Sequence, residues 1–177
     1  SFSPGSPHGL AFDGNYLWCV ANGEDKIYKL NSDGSVESSI SSPGPSPTGL
    51  TFDGTYLWNS DDNSLEIYRL DTSGNMLSSF NAPGGDSTGL AFDGTYLWNA
   101  DFASGGKIHK INTSGTLVGS FDSPGNGPEG LAYDGTSLWN VDINENKVYK
   151  LDMYGNVINS CSSPGSIPIG LTFDGTY

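Results

Sequence analysis

Bulky apolar side chains along this chain alternate with small or polar ones in short runs, and the runs recur. Leu10-Ala11-Phe12, Leu50-Thr51-Phe52, Leu90-Ala91-Phe92 and Leu131-Ala132-Tyr133 each set two large residues two positions apart. A period of two predicts strands with one buried face. Asp-Gly follows each run, and a second apolar run ending in Leu-Trp follows each Asp-Gly. Asp-Gly between such runs predicts a hairpin on a type I′ turn, with positive φ at both central residues. After a loop comes a third run: Ile27-Tyr28-Lys29-Leu30, Ile67-Tyr68-Arg69-Leu70, Ile108-His109-Lys110-Ile111 and Val148-Tyr149-Lys150-Leu151. A turn ending in Gly leads to a fourth run, which closes at Ile40, Phe80, Phe121 or Cys161. No stretch has apolar residues at i, i+3 and i+4, so almost no helix is expected.

The four-run unit repeats. Its opening glycines, Gly9, Gly49, Gly89, Gly130 and Gly170, are spaced 40, 40, 41 and 40 residues apart. Four antiparallel strands, here called A to D, in a unit of that length form a β-propeller blade. The expected fold is therefore all-β, a β-propeller with blades at 3–42, 43–82, 83–123 and 124–163, and part of a fifth at 164–177. A single blade cannot bury both faces, so stacked neighbours should bury Trp18, Trp58, Trp98 and Trp139 between them. Both ends read as cut from a longer array. Residues 1–177 are not expected to close a ring by themselves, because a four-blade ring would leave 165–177 without a place. The array would then continue in a longer chain or in a multi-chain assembly.

Charge narrows the partners. The net charge is −13, and the seven basic residues all lie in or beside the third run. Phosphate backbones need clustered Lys and Arg, so no nucleic-acid partner is expected and an anionic membrane surface is a poor one. No segment reaches the roughly 18 consecutive apolar residues of a membrane-spanning helix. The acidic balance has two readings: attraction of cations, or turn chemistry, since most Asp residues stand in turn sequences. Cys19 and Cys161 sit in units far apart and read as two buried, unpaired hydrophobes. Asn112-Thr113-Ser114 is a glycosylation sequon on a turn.

Variation among the units marks one end of the propeller. The A–B turns barely differ, whereas the D–A connectors and B–C loops, which share the channel face, differ in sequence and length. Loops on a rigid scaffold carry binding. The candidate ligand-binding residues are therefore His8, Thr48, Asp61, Asp62, Thr88, Asp101, Phe102, Glu129, Asp142 and Asn144. The Trp-Asn-x-Asp pattern (Asn59/Asp61, Asn99/Asp101, Asn140/Asp142) offers oxygen ligands suited to calcium. The same Asp residues also suit acceptors for backbone N–H groups in their own loops, or partners for the Lys opening strand C. Too few ligands come from one unit, and no tight metal site is expected. His8 and Glu129, at equivalent connector positions, are an acid–base pair in principle. His109 replaces Tyr28, Tyr68 and Tyr149 and reads as a packing position. There is no Gly-x-Ser-x-Gly elbow and no P-loop.

The pattern Pro-x-Gly-Leu-Ala-Phe-Asp-Gly-x-x-Leu-Trp, followed by Lys-Ile-Tyr-Lys-Leu-Asp-x-x-Gly, resembles β-propeller repeats of the NHL, YVTN and gluconolactonase-like superfamily along the whole chain. The resemblance implies a binding or scaffold module, extracellular or on a cell surface, with a protein or glycan ligand. It also raises a metal-dependent lactonase type of hydrolase, in which Glu, Asn and Asp from different blades hold a divalent cation. Here only Glu129 matches a channel Glu. Near-identical units argue against an enzyme, because a single active site requires its units to diverge. A structural protomer, joined to further blades of the same protein in a homo-assembly or fibre, is the third expectation.

Overall fold

The computed structural model describes residues 5–176. These form sixteen strands and two single-turn 3₁₀ helices, Asn22–Glu24 and Ala103–Gly105. Blade one contains β1 (Pro7–Phe12), β2 (Leu17–Ala21), β3 (Lys26–Leu30) and β4 (Val36–Ser41). Blade two contains β5 (Pro47–Phe52), β6 (Leu57–Asp61), β7 (Glu66–Leu70) and β8 (Met76–Asn81). Blade three contains β9 (Ser87–Phe92), β10 (Tyr96–Asp101), β11 (Lys107–Asn112) and β12 (Leu117–Asp122). Blade four contains β13 (Pro128–Tyr133), β14 (Leu138–Asp142), β15 (Lys147–Leu151) and β16 (Val157–Ser162). Each blade is one antiparallel sheet in sequential strand order, and β1, β5, β9 and β13 touch in succession. The architecture is a four-bladed β-propeller.

The core lies between blades. Ala11, Trp18, Val20 and Ile27 of blade one meet Leu50, Leu57, Tyr68 and Leu70 of blade two. Trp58 and Ile67 then meet Leu90, Leu97 and Ile111. Trp98 and Ile108 meet Leu131, Leu138, Tyr149 and Leu151. Burying side chains of this size contributes roughly 1.5–3 kcal/mol each, which is why the pattern of two recurs so faithfully. The penultimate residue of strand D locks onto the next blade's C–D turn. A Cβ on Gly74 would come 2.8 Å from Ile40, and one on Gly115 would come 2.6 Å from Phe80. These glycines also hold positive φ, 91° and 89°, so they are doubly required.

The A–B turn differs from the expected type I′. Only the glycine has positive φ (Gly14, Gly54, Gly94, Gly135); the Asp before it does not. The reason is the carboxylate. Asp93 Oδ1 accepts the N–H groups of Thr95 (2.9 Å) and Tyr96 (2.7 Å), and this Asx turn reverses the chain without left-handed backbone at the Asp. Its other oxygen accepts the indole N–H of Trp98 at 2.8 Å. Asp13–Trp18, Asp53–Trp58 and Asp134–Trp139 repeat the bond at 2.7, 2.7 and 2.8 Å. The strand-C cation covers the same corner. Lys110 lies 4.2 Å from the Tyr96 ring centroid and 5.0 Å from that of Trp98, and Arg69 and Lys29 do the same in their blades. In blade four Ser137 stands in for that Tyr, and Lys150 bonds Asp134 directly at 2.9 Å.

Residues 163–176 form no strand, so a fifth blade is not built. They nevertheless take the inner place that the first strand of a fifth unit would hold. A Cβ on Gly130 would come 2.3 Å from the Ile169 carbonyl, and one on Gly170 would come 2.4 Å from the His8 carbonyl. Gly49 and Gly89 stand in the same relation to Thr88 and Glu129, at 2.3 and 2.0 Å. The tail therefore passes between β13 and β1 as the inner strands pass one another. Cys19 is buried as expected, but Cys161 is exposed, because no blade follows the face of β16 on which it lies.

Candidate functional site

The channel mouth is set by five equivalent residues, each just before one of the close-packed glycines: His8, Thr48, Thr88, Glu129 and Ile169. Backbone lies against backbone at the glycines, so the channel beneath narrows to a cavity of about 10 Å³, room for one water. Thr48 and Thr88 are buried and act as staples. Thr48 Oγ1 donates to the Ser87 carbonyl at 2.6 Å, and Thr88 Oγ1 lies 3.0 Å from the Pro128 carbonyl. At the same position Glu129 brings a carboxyl group in place of the threonine hydroxyl. His8 Nδ1 is buried without a partner, and burial holds the His8 pKa below its ordinary value.

Asp61, Asp101 and Asp142 are almost fully buried, at 0%, 3% and 0% exposure, and are used within their own blades. Asp61 Oδ1 accepts Asn63 N–H and Ser64 N–H, and Oδ2 accepts Ser46 N–H at 2.7 Å. Asp142 likewise accepts Asn144, Glu145 and Gly127 N–H groups. Asp101 accepts Asp86 and Ala103 N–H groups, and its Oδ2 lies 3.4 Å from Nε2 of the buried His109. Each Asp thus ties a B–C loop to the D–A connector beside it. Blade one carries Ala21 at this position, and Glu24 substitutes by accepting Gly5 N–H at 2.9 Å. The Asn of the pattern serves the inner bulge: Asn59, Asn99 and Asn140 donate to the carbonyls of Gly49, Gly89 and Gly130. Among the described residues, no three His, Cys, Asp or Glu side chains gather so as to hold a metal ion.

Three carboxyl groups on three successive blades act on one another at the mouth: Asp62, Asp86 and Glu129. Burial, reinforced by the charges of Asp86 and Asp62, pushes the Glu129 carboxyl up to about 7. Burial, the adjoining Asp62 carboxyl and the charge of Asp101 push Asp86 up to about 6. No cation acts on either group. The cations are engaged elsewhere: Lys107 with Asp122, Lys147 with Glu145, and the rest over aromatic rings or on Asp134. Phe102 is half-buried, its N–H on the Asp86 carbonyl at 2.9 Å. Asn144 is exposed and donates to Asn126 Oδ1. Asn112 lies at the opposite end, closing β11 just before the C–D turn, where its side-chain oxygen accepts Ser114 and Thr116 N–H groups. The sequence does not point to the Asp–Trp bond or to Asp86 as a member of the mouth, whereas Asp62 and Glu129 are among its candidates. The invariant five-residue step from Asp to Trp was a signal for the first; nothing local signals the second.

No protein-family model matches the sequence, and no curated protein matches it. Solved structures of similar fold are numerous. The Myxococcus xanthus glutaminyl cyclase superposes with a TM-score of 0.81 at 14% identity, covering 95% of this chain and 81% of that one. A chain of the nidogen–laminin complex gives 0.71 at 21% identity, over 96% and 69% of the two chains. Virginiamycin B lyase from Staphylococcus aureus gives 0.62 at 23% identity, over 88% and 55%. At these identities the likeness establishes the fold, that of β-propeller proteins, which include both enzymes and a binding protein.

Proposed function

We propose that the chain is a non-catalytic binding scaffold, working outside the cell or at its surface, whose channel mouth takes lysine or arginine side chains of a protein ligand. The observation that carries this reading is the pair Glu129 and Asp86, held near the Asp62 carboxyl where ionisation of the two is resisted and no cation of the chain relieves it. Groups left unfavourable in the folded state cluster at functional positions. A ligand cation would lower their pKa values and be held in return. The sequon Asn112 lies at the far end, so a glycan there would leave the mouth open. A propeller of similar fold is found in the nidogen complex with laminin.

The test is calorimetric titration with trilysine at low ionic strength, where surface charge is least screened. Saturable binding is expected at pH 8, weaker binding at pH 5, and none in the Asp86→Asn, Glu129→Gln double variant. Equal heats from wild type and the double variant would refute the proposal. Turnover of a substrate with an N-terminal glutamine, abolished by Glu129→Gln, would replace the scaffold with an enzyme.

A further inference from the structure

Blade three departs from the other blades at two places that meet. Tyr28, Tyr68 and Tyr149 set a hydroxyl against their own B–C loops, on Glu24, Ser64 and Glu145, where the third blade carries His109. Ser42 and Ser123 give a hydroxyl to the amide oxygens of Asn59 and Asn140, where Ala82 stands before Asn99. Asn99 and His109 are directly opposed in the β10–β11 ladder, so their side chains share one face of the sheet. Both are buried, at 0% and 6% exposure. Each keeps one polar atom without a partner, Asn99 Oδ1 and His109 Nδ1. The amide cannot turn over, because Asn99 Nδ2 donates to Ser87 Oγ at 2.9 Å and to the Gly89 carbonyl at 3.1 Å.

A neutral imidazole has one N–H to give and an imidazolium has two. Two acceptors flank this ring: Asp101 Oδ2, 3.4 Å from Nε2, and Asn99 Oδ1 on the opposed residue. The neutral ring serves one of them and leaves a buried acceptor bare, which is unfavourable. The imidazolium serves both, Nε2–H to the carboxylate and Nδ1–H, with a turn of the ring, to the amide oxygen. No other cation competes for Asp101. Lys107, on the same face of β11, bonds Asp122 at 2.6 Å, and Arg69 of blade two lies over the Tyr56 and Trp58 rings. Blade two otherwise presents Trp58, Ile67 and Ala82 to this side, and Ser120 opposes His109 on β12. Beyond Asp101 stand Asp86 and, next to it, Asp62.

We infer that Asn99, His109 and Asp101 form a proton-sensing device: His109 takes up a proton between the two acceptors, and its charge acts through Asp101 on Asp86 at the channel mouth. Histidine changes charge in mildly acidic media. Asp101 holds the Asp86 and Ala103 N–H groups. Burial, the Asp62 carboxyl and the charge of Asp101 together hold the Asp86 pKa up at about 6. A cation on His109 offsets the Asp101 charge, so Asp86 stays ionised to lower pH. The mouth then keeps its hold on a ligand cation as the medium turns acidic. That consequence rests on the reading of the mouth as a lysine and arginine site; the proton uptake does not.

The test is NMR titration of the full chain from pH 8 to pH 5. The chain has two histidines, and His109→Tyr, which installs the residue of the other three blades, assigns the signals. Both His109 ring nitrogens should move to the protonated ¹⁵N position; a ring that keeps one bare nitrogen at pH 5 overturns the inference. In His109→Tyr the Asp86 carboxyl midpoint should rise by about half a pH unit, roughly a threefold change in its ionisation ratio. Trilysine binding should weaken about two- to threefold at pH 6 and stay unchanged at pH 8. An Asp86 midpoint that does not move overturns the link to the mouth. Ala82→Ser is the second variant: its hydroxyl competes for Asn99 Oδ1, so His109 should take its proton at lower pH. A His109 titration indifferent to Ala82→Ser overturns the role of Asn99. Both NMR shifts without trilysine binding at any pH would support the device and overturn the reading of the mouth.

Discussion

Replacing Ala82 with Ser should stabilise the protein, and its neighbours in the repeat set the size of the effect. Ser42 Oγ donates to Asn59 Oδ1 at 3.1 Å, and Ser123 Oγ donates to Asn140 Oδ1 at 3.3 Å, each across 17 residues from one blade to the next. Ala82 stands the same distance before Asn99, whose Oδ1 is buried without a partner. Leaving a buried acceptor unpaired costs about 1–3 kcal/mol, and a hydrogen bond supplied to it returns a net 0.5–1.5 kcal/mol. The added hydroxyl sits at a position only 9% exposed, so some of that gain goes to fitting it. A stabilisation of about 1 kcal/mol is expected for Ala82→Ser, and losses of about 1 kcal/mol for Ser42→Ala and Ser123→Ala. Urea unfolding measures this as a shift of midpoint at unchanged slope. The reasoning fails if Ala82→Ser is neutral or destabilising while both serine deletions are also neutral.

Trp98→Ala should cost about 3–5 kcal/mol through the cavity left between blades three and four, read by the same unfolding assay. Leu65 holds positive φ (55°) where Asp25 and Asn146 do so in their blades; Leu65→Asn should therefore gain about 1 kcal/mol. Glu129 keeps its proton up to about pH 7 when folded but loses it near 4.5 when unfolded. Stability should thus fall as pH rises through that window, with the full penalty present above it. Glu129→Gln should relieve on the order of 2 kcal/mol at pH 8 and almost nothing at pH 4. Calorimetric titration with calcium should show no stoichiometric site of micromolar affinity, since the buried Asp carboxylates are already occupied by backbone N–H groups.

The blades were legible because a strand's period of two and a repeat near 40 residues are local and recur. The burial of Trp58 and Trp98 followed from stacking alone. The turn type was misread because Asp-Gly has two solutions. Asp93 takes the one in which its carboxylate bonds the backbone and still reaches Trp98, a choice that depends on the Trp five residues away. The tail was legible as the start of a fifth unit, but its packing was not, because the Gly130 and Gly170 contacts that seat Leu171-Thr172-Phe173 need only backbone and leave no side-chain pattern. The grouping of the acid trio was invisible because Asp62, Asp86 and Glu129 are brought together by three blades meeting at one axis. His8 and Glu129 stand at equivalent positions inside β1 and β13 rather than on the connectors, and their surroundings are products of the fold.

The most direct measurement is the titration of the Glu129 side-chain carboxyl by ¹³C NMR, alone and with excess trilysine. The account predicts a midpoint near pH 7 in the free protein, moving down when the cationic peptide is present. A midpoint at the ordinary value of 4.5, unmoved by the peptide, would contradict it.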